Sequence, residues 1–202
     1  MSTADKSIDP ILLACAKEEF LQHGFDDAST NAICKKAGVT TGALYKRFSS
    51  KNELFWAVVN PALEKVKAWF TSEQERFDVM DLQEQIQALT DNTYHVQFLN
   101  LIYDNYDEFK ILVDKSSQSQ FAAFLDYFVE SKTENTIRFI NQINPKAFAE
   151  NLISEQTIHI LMTSYFNGQF EVIRHNEKRE DALLYVEQMH RFYWHGWQSL
   201  MK

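Results

Sequence analysis

The sequence of 202 residues is poor in glycine, proline and cysteine, with five, three and two of each. A sheet protein of this size needs many turns, which glycine and proline supply, so their scarcity favours long helices joined by few loops. Cys15 and Cys34 do not make a disulfide framework. Each lies in an apolar helical pattern without a cluster of metal ligands, so a buried thiol is favoured over a redox or metal-binding role.

Several signals of membrane proteins and enzymes are also missing. There is no signal peptide and no apolar run of about 18 residues, so we expect a soluble, cytoplasmic protein with no membrane partner. A nucleophile elbow, a phosphate-cradling glycine loop and a metal signature are absent, so neither catalysis nor a cofactor is predicted. Hydrophobic residues make up 45% of the chain, which is enough for a packed core and excludes a disordered protein.

Acidic residues are absent from one segment of an otherwise acidic chain. The net charge is −8, yet no Asp or Glu occurs between Asn31 and Lys51. The five basic residues of this segment are Lys35, Lys36, Lys46, Arg47 and Lys51. Such a cluster is typical of a phosphate-binding surface, and it is also typical of a merely solvated basic face. Charge alone leaves both readings open.

Capping residues divide the first 60 residues into four predicted helices. Asp9-Pro10 opens a helix over about 10–23, which Gly24 closes. A second helix starts after Ser29 or Thr30 and ends at Gly38, and Thr40 caps a third. Ser50 to Glu53 has the spacing of a capping box and starts the fourth. Pro61 is expected to kink or split that helix, with Asn60 capping the second piece.

The rest of the chain also has helical periodicity and no strand-like alternation. The fold class is therefore all-α, with about nine helices. The later helices are predicted over about 81–103, 105–114, 117–142, 145–174 and 178–201.

Residues 29–48 have the pattern of a helix-turn-helix. Ala37 is small enough for two helices to cross closely, and Gly38 suits the sharp turn. Val39 and Leu44 are expected to pack the second helix onto the first. Small residues at the start of that second helix would let its backbone approach base edges or phosphates.

The segment resembles the TetR (tetracycline-repressor) family over about residues 9–56. The run Ala37-Gly38-Val39-Thr40-Thr41-Gly42-Ala43-Leu44-Tyr45, followed by Phe48 and Lys51-x-Glu53-Leu54-Phe55, carries the resemblance. It implies a three-helix DNA-binding domain at 1–50 and a helical ligand-binding and dimerisation domain at 51–202. The positions that it implies for DNA binding are Thr30, Asn31, Thr41, Gly42, Ala43, Tyr45, Lys46, Arg47 and Lys51. For Tyr45, simple packing is the alternative.

Two C-terminal stripes have the spacing of a helix-helix seam. In the resembled family the last two helices form a four-helix dimer interface, so a homodimer is expected here. The predicted dimerisation residues are Leu161, Ser164, Gly168, Val172, Leu183, Val186, His190, Tyr193 and Trp197. The alternative is that both stripes are buried within one chain.

The middle helices are rich in aromatic residues, which suits either a small-molecule pocket or an ordinary core. The resemblance implies an effector pocket there. Its candidate lining residues are Tyr94, His95, Phe98, Phe124 and Phe128. His190 and His195 are five residues apart, which is not the spacing of a metal pair on one helix face, so no metal site is predicted.

Together these features predict a sequence-specific, DNA-binding transcriptional regulator. The resemblance implies a repressor that a small-molecule effector releases from a palindromic double-stranded DNA operator. A helical protein-interaction module whose helix-turn-helix no longer reads DNA is the alternative, because Gly42 and Ala43 offer no side-chain hydrogen bonds to bases. An enzyme with an accessory helix-turn-helix is a third reading, which the missing catalytic motifs disfavour.

Overall fold

The computed structural model describes residues 8–116 and 118–200, which form ten helices and no strand. In chain order the helices are α1 (Ile8–Asp27), α2 (Thr30–Ala37), α3 (Thr41–Tyr45), α4 (Lys51–Asp78), α5 (Leu82–Thr90), α6 (Thr93–Tyr103), α7 (Tyr106–Asp114), α8 (Gln118–Ile143), α9 (Glu155–Arg174) and α10 (Arg179–Leu200). The all-α prediction is confirmed. In this part of the chain, no helix is long and apolar enough to cross a membrane.

α2, α3 and α4 begin after their predicted caps, and α2 ends at the predicted Gly38, whereas α1 extends beyond the predicted 10–23. The hydroxyls of Ser29 and Thr40 accept the backbone N–H groups three residues on, at 3.3 and 3.2 Å, and so cap α2 and α3. Gly38 follows α2 in the left-handed conformation, with φ 69° and ψ 27°. Gly24 interrupts α1 with φ 75° and ψ 174°, after which the helix resumes to Asp27.

The expectation that Pro61 splits the fourth helix is wrong. α4 runs unbroken from Lys51 to Asp78, and Asn60 caps no second piece. Pro61 lies on the exposed side of α4, while Val59, Ala62 and Leu63 are buried beside it. The proline removes one hydrogen bond, but the burial of the opposite face holds the helix together.

Two of the later helices were predicted too long, because each prediction included residues that are not helical. The helix predicted over 81–103 is divided into α5 and α6, because the Asp91 carboxylate accepts both the N–H and the hydroxyl of Thr93, at 2.7 and 2.6 Å. Residues 145–152 form turns, and the following helix begins only after the Ser154 cap. Ser117, the predicted cap of α8, lies outside the described residues.

A continuous hydrophobic core joins the N-terminal helices to the C-terminal bundle. α1 packs against α2, α4 and α7, so it belongs to both regions. Phe20 and Phe55 are fully buried, with their ring centroids 5.6 Å apart. Burial of each such phenyl ring contributes about 1.5–3 kcal/mol. This packing holds the helix-turn-helix on one end of the bundle.

Candidate nucleic-acid interface and ligand cavity

The helix-turn-helix is built from α2 and α3 around a small apolar contact. Leu44 and Ile33 are fully buried, and Cys34 is nearly so. The turn is closed by the Val39 N–H, which donates to the Cys34 carbonyl at 3.0 Å. These residues fix the angle between the two helices, so the opposite side of α3 faces outwards.

The outward side carries most of the predicted DNA-binding residues. Asn31, Gly42, Tyr45 and Lys46 are exposed, and 44% of Tyr45 is accessible. A Cβ added at Gly42 would meet nothing closer than 4.0 Å, so the backbone is open to an approaching ligand there.

Hydrogen bonds link α2 and α3 across this surface. The Thr41 hydroxyl donates to the Asn31 side-chain oxygen at 3.1 Å. The hydroxyls of Thr30 and Tyr45 are 3.3 Å apart. Each pair joins one residue near the start of α2 to one residue of α3. The polar groups are thereby positioned before any partner arrives.

Arg47 and Lys51 make intramolecular contacts that sequence reasoning missed. Arg47 Nε donates to Asp9 at 2.6 Å and its Nη1 to the Ala43 carbonyl at 3.1 Å, and only 11% of the side chain is exposed. Lys51 Nζ donates to the carbonyls of Asp26 and Ala28 at 2.9 and 3.3 Å. Both cations brace α1 against the helix-turn-helix, and DNA contact by them stays a prediction.

The remaining basic residues face outwards. Lys36 is ion-paired with Glu18 of α1. Among the residues that the structure describes, Lys35 and Lys46 have no ion-pair partner and are exposed. They leave uncompensated positive charge beside the Thr41–Asn31 and Thr30–Tyr45 pairs, which is the charge that phosphates require.

A cavity of about 350 Å³ lies in the C-terminal bundle, lined by residues of α4, α5, α6, α8, α9 and α10. Of the five predicted pocket residues, Tyr94 and His95 line it. The other three, Phe98, Phe124 and Phe128, are buried against each other and do not reach it. Core packing thus accounts for these three phenyl rings.

The cavity has polar groups among its aromatic walls. Tyr165 and His95 are hydrogen-bonded through the phenol and Nδ1. The rings of His95 and His190 lie 4.5 Å apart, centroid to centroid. Burial, with smaller contributions from His190 and Lys132, lowers the pKa of His95 from 6.5 to about 3. His95 is therefore neutral at pH 7.

Lys132 also lines the cavity. Its ammonium lies 4.7 Å from the ring centroid of Tyr94 and 5.2 Å from that of Phe70. Burial lowers the pKa of Lys132 to about 8, although Asp78 and Glu73 oppose the shift. Sequence reasoning did not single out Lys132, since one lysine in a polar stretch of α8 carries no distinguishing signal.

The structure divides the predicted dimerisation residues. Val172 and Val186 are buried within the chain, and Gly168 faces Met189 of α10, whose nearest atom would be 3.1 Å from an added Cβ. His190, Tyr193 and Trp197 line the cavity. These six residues face their own bundle, because α10 packs its apolar side on that bundle, chiefly on α6, and dimerisation through the predicted seam stays a prediction. Ser164 is exposed, and Leu161 and Leu183 are half-buried.

Other apolar residues of the last two helices are exposed instead. Ile160 is 56%, Leu184 55% and Phe192 76% accessible. Leu184, Gln188 and Phe192 recur every four residues along α10. The spacing of this second stripe is visible in the sequence, but the neighbouring stripe that begins at Leu183 is more apolar and was therefore the one predicted to pair.

Comparison with known proteins gives a match at the helix-turn-helix. The family model for bacterial regulatory proteins of the tetR family matches residues 12–58. The HTH-type transcriptional regulator UidR of Escherichia coli K12 is 34% identical over 84 residues, which are 41% of this chain and 43% of UidR. The match thus spans less than half of that relative's length. YvdT, an HTH-type transcriptional regulator of Bacillus subtilis 168, is 26% identical over 153 residues, covering 71% of this chain and 69% of YvdT.

Solved structures extend the likeness to the whole fold. NalD, the secondary repressor of the MexAB-OprM multidrug efflux pump in Pseudomonas aeruginosa, covers 92% of this chain and 96% of its own, with a TM-score of 0.62 and 21% identity. A transcriptional regulator from Aquifex aeolicus VF5 covers 92% of this chain and 97% of its own, with a TM-score of 0.56 and 19% identity. The arrangement of N-terminal helix-turn-helix and helical bundle is therefore shared with transcriptional regulators.

Proposed function

We propose that the chain is a member of the tetR family of bacterial regulatory proteins, whose family model matches residues 12–58, and that it is a sequence-specific DNA-binding transcriptional regulator. It acts in the cytoplasm as a homodimer on a palindromic operator and has no catalytic activity. A small molecule bound in the C-terminal bundle releases it from DNA. Residues 1–50 form the DNA-binding domain, and 51–202 form the ligand-binding and dimerisation domain. NalD is described as a repressor, which favours repression as the sense of regulation here.

The exposed face of α3 is the observation that carries this proposal. It combines an open backbone at Gly42, hydroxyls and an amide joined to α2, and the uncompensated charge of Lys35 and Lys46. Phosphate contacts from such groups set the position of a protein on the duplex, while Thr41 and the Ala43 methyl reach base edges. The exposed charge of Lys35 and Lys46 favours phosphate binding over a protein-interaction module, which does not require it.

The packing of α1 supplies a route from the bundle to the helix-turn-helix. The Phe25 N–H donates to the Lys115 carbonyl at 2.7 Å, and Lys17 pairs with Asp107 and Glu108 of α7 at 3.1 and 2.9 Å. A shift of α7 on ligand binding therefore moves α1 and with it α3, the recognition helix of the helix-turn-helix. Two recognition helices must lie about 34–36 Å apart to enter successive major grooves. A ligand that favours another spacing weakens DNA binding by linkage.

Selection of duplexes from a random library at physiological salt, with the purified protein, tests the proposal. A two-fold symmetric consensus with half-site centres one turn apart is expected. Tyr45→Phe should then weaken operator binding about threefold to tenfold, because a single phosphate hydrogen bond is lost. Tyr127→Phe is the matched control, since Tyr127 is also exposed and its hydroxyl also pairs with a threonine, Thr71, at 3.2 Å.

The alternative of a protein-interaction module predicts the opposite results. No duplex would be enriched, and binding to arbitrary DNA would be unchanged by Tyr45→Phe. Unfolding and refolding the protein before a repeat selection strips any bound effector, so a persistent failure would refute DNA recognition itself.

A further inference from the structure

Among the residues that the structure describes, the cavity in the C-terminal bundle contains a buried hydroxyl without a hydrogen-bond partner, on Tyr94, and a half-buried ammonium without a carboxylate partner, on Lys132. The Tyr94 hydroxyl is buried without any hydrogen-bond partner. Within residues 8–116 and 118–200, no carboxylate oxygen lies within 4.0 Å of the Lys132 ammonium, whose neighbours are the faces of Phe70 and Tyr94. Leaving a buried donor unpaired is costly, more so for a charged one. A ligand that supplies an acceptor in the cavity would satisfy these groups.

The acidic groups of the cavity are already occupied. Glu73 accepts from Arg76 Nη2 at 2.5 Å and from its Nε at 3.2 Å. Asp91 accepts two hydrogen bonds from Thr93, at 2.7 and 2.6 Å. Glu73 is thus paired with a cation of its own chain, and both hydrogen bonds of Asp91 go to the neighbouring Thr93. Lys132 is the cation of the cavity that has no carboxylate partner among the described residues.

Lys132 and Tyr94 both stay protonated at neutral pH. Burial brings the pKa of Lys132 to about 8, which leaves most molecules charged at pH 7. Burial, together with the charge of Glu73, raises the pKa of the Tyr94 phenol far above its usual range, so its hydroxyl remains a donor. A carboxylate can accept from both groups and also offsets the positive charge of Lys132, which a neutral acceptor does not.

The walls around these donors are aromatic. Phe77, Phe139, Trp194 and Trp197 line the same cavity, and Met162 adds a polarisable thioether. A volume of about 350 Å³ is near the lower end of the range for small-molecule sites, about 300–1,000 Å³. Flat rings stack well against such walls.

We infer that this cavity binds a planar aromatic monoanion, whose carboxylate accepts from Lys132 and Tyr94 while its ring packs between the aromatic walls. The inference rests on the proposed function, since it names the chemical class of the effector. Tyr94 and Lys132 lie on α6 and α8, so the bound carboxylate bridges these two helices. α6 leads directly into α7, which contacts α1.

Three probes of one shape isolate the charge: 2-naphthoate, 2-naphthamide and 2-naphthylmethylammonium. Calorimetric titration of the full chain, without DNA, is expected to show that 2-naphthoate binds at least about tenfold more tightly than either analogue. Lys132→Met should abolish that preference, and Tyr94→Phe should weaken 2-naphthoate several-fold. Lys146→Met is the control, because it removes an equal charge from an exposed turn outside the cavity.

Lys132→Met replaces a half-buried ammonium that has no carboxylate partner in the described part of the chain by an apolar side chain of similar length, so this variant is expected to melt at or above the temperature of the unaltered protein. Equal binding of the three probes, tighter binding of the cation, or no detectable 2-naphthoate binding at about 1 mM would overturn the inference. A preference that survives in Lys132→Met would do so as well.

A second arm separates this inference from the proposed function. The selected operator is titrated with protein in the presence and absence of 2-naphthoate. Tight 2-naphthoate binding that leaves operator affinity unchanged would refute effector control and leave the aromatic-anion site standing. Operator binding with no preference among the probes would refute the site and leave the regulator standing.

Discussion

Arg47 Nε lies 2.6 Å from the Asp9 carboxylate, so the second residue after α3 is tied to the start of α1. The aspartate offsets a positive charge close to the face that we propose binds DNA. The pair also holds α1 against α3, because Nη1 of the same guanidinium donates to the Ala43 carbonyl. Its electrostatic and structural roles can be separated by removing the carboxylate charge alone.

Asp9→Asn is expected to strengthen operator binding about twofold to fivefold at low salt, since a repelling charge is removed near the phosphates. The free energy of unfolding should fall by no more than about 1 kcal/mol, because the pair is partly exposed. Fluorescence anisotropy over a range of salt concentrations measures the first effect. Asp126→Asn, an equal change on the exposed side of α8, should do neither. Weaker operator binding in Asp9→Asn would show that the ion pair orders the recognition helix instead.

Gly38→Ala is expected to lower the free energy of unfolding by about 1–2 kcal/mol. A Cβ at Gly38 meets no atom within 4 Å, so the loss is conformational and comes from φ 69° alone. Gly196→Ala is the matched control, because its Cβ also meets nothing but its backbone is helical. That change should be neutral or stabilising by up to about 1 kcal/mol. Urea denaturation of both variants gives the comparison, and equal effects would rule out a strained turn at Gly38.

The helix-turn-helix was predictable because its signals are local. Ser29, Gly38 and Thr40 act on backbone groups within a few residues of themselves, so spacing along the chain reveals them. Pro61 shows the limit of such reasoning, since tertiary burial outweighs a local helix breaker.

The residues that line the cavity and those left on the outer surface could not be predicted, because they are determined by contacts between residues far apart in the sequence. Phe98 and His95 are both aromatic residues of α6. Phe98 nevertheless lies in the core, whereas His95 lines the cavity. The partners of Arg47 and Lys51, at Asp9 and Asp26, are 38 and 25 positions away. Periodicity along the chain does not reveal such pairs, so the sequence predicts Arg47 and Lys51 only as DNA contacts.

His95 is expected to make the protein less stable in mild acid. Its pKa in the folded chain is about 3, against 6.5 for an exposed histidine, so the unfolded chain binds more protons between these values. The contribution of neutral His95 to the free energy of unfolding is therefore fully present above about pH 6.5 and is lost as the pH falls towards 3. The groups that face His95 are His190 of α10, Lys132 of α8 and Tyr165 of α9.

The free energy of unfolding should drop by about 1–2 kcal/mol between pH 7 and pH 5. His95→Gln keeps a partner for the Tyr165 hydroxyl and should flatten this slope, although it lowers stability at pH 7. Urea denaturation at each pH tests this, with His159→Gln as a control on the exposed side of α9. An unchanged slope in His95→Gln would mean that other groups govern the acid response.

Phe192→Glu is expected to convert the proposed homodimer into a monomer. Phe192 is the most exposed large apolar side chain of α10, and Leu184 and Ile160 are exposed on the same two helices. A glutamate there would place a charge in the centre of any interface that buries this surface, and burying an unpaired charge is costly. Sedimentation velocity gives the oligomeric state directly. Loss of the dimer should also abolish joint binding to two half-sites, since one chain reaches only one.

Val79→Glu is the control for Phe192→Glu. Val79 is 85% exposed at the C-terminal end of α4, so the same charge is added to an equally accessible apolar site outside the last two helices. It should leave the dimer and operator binding intact. A dimer that survives Phe192→Glu but dissociates with Val79→Glu would place the interface at the other end of the bundle. Ser164, the predicted contact that remains exposed on α9, would then have no part in it.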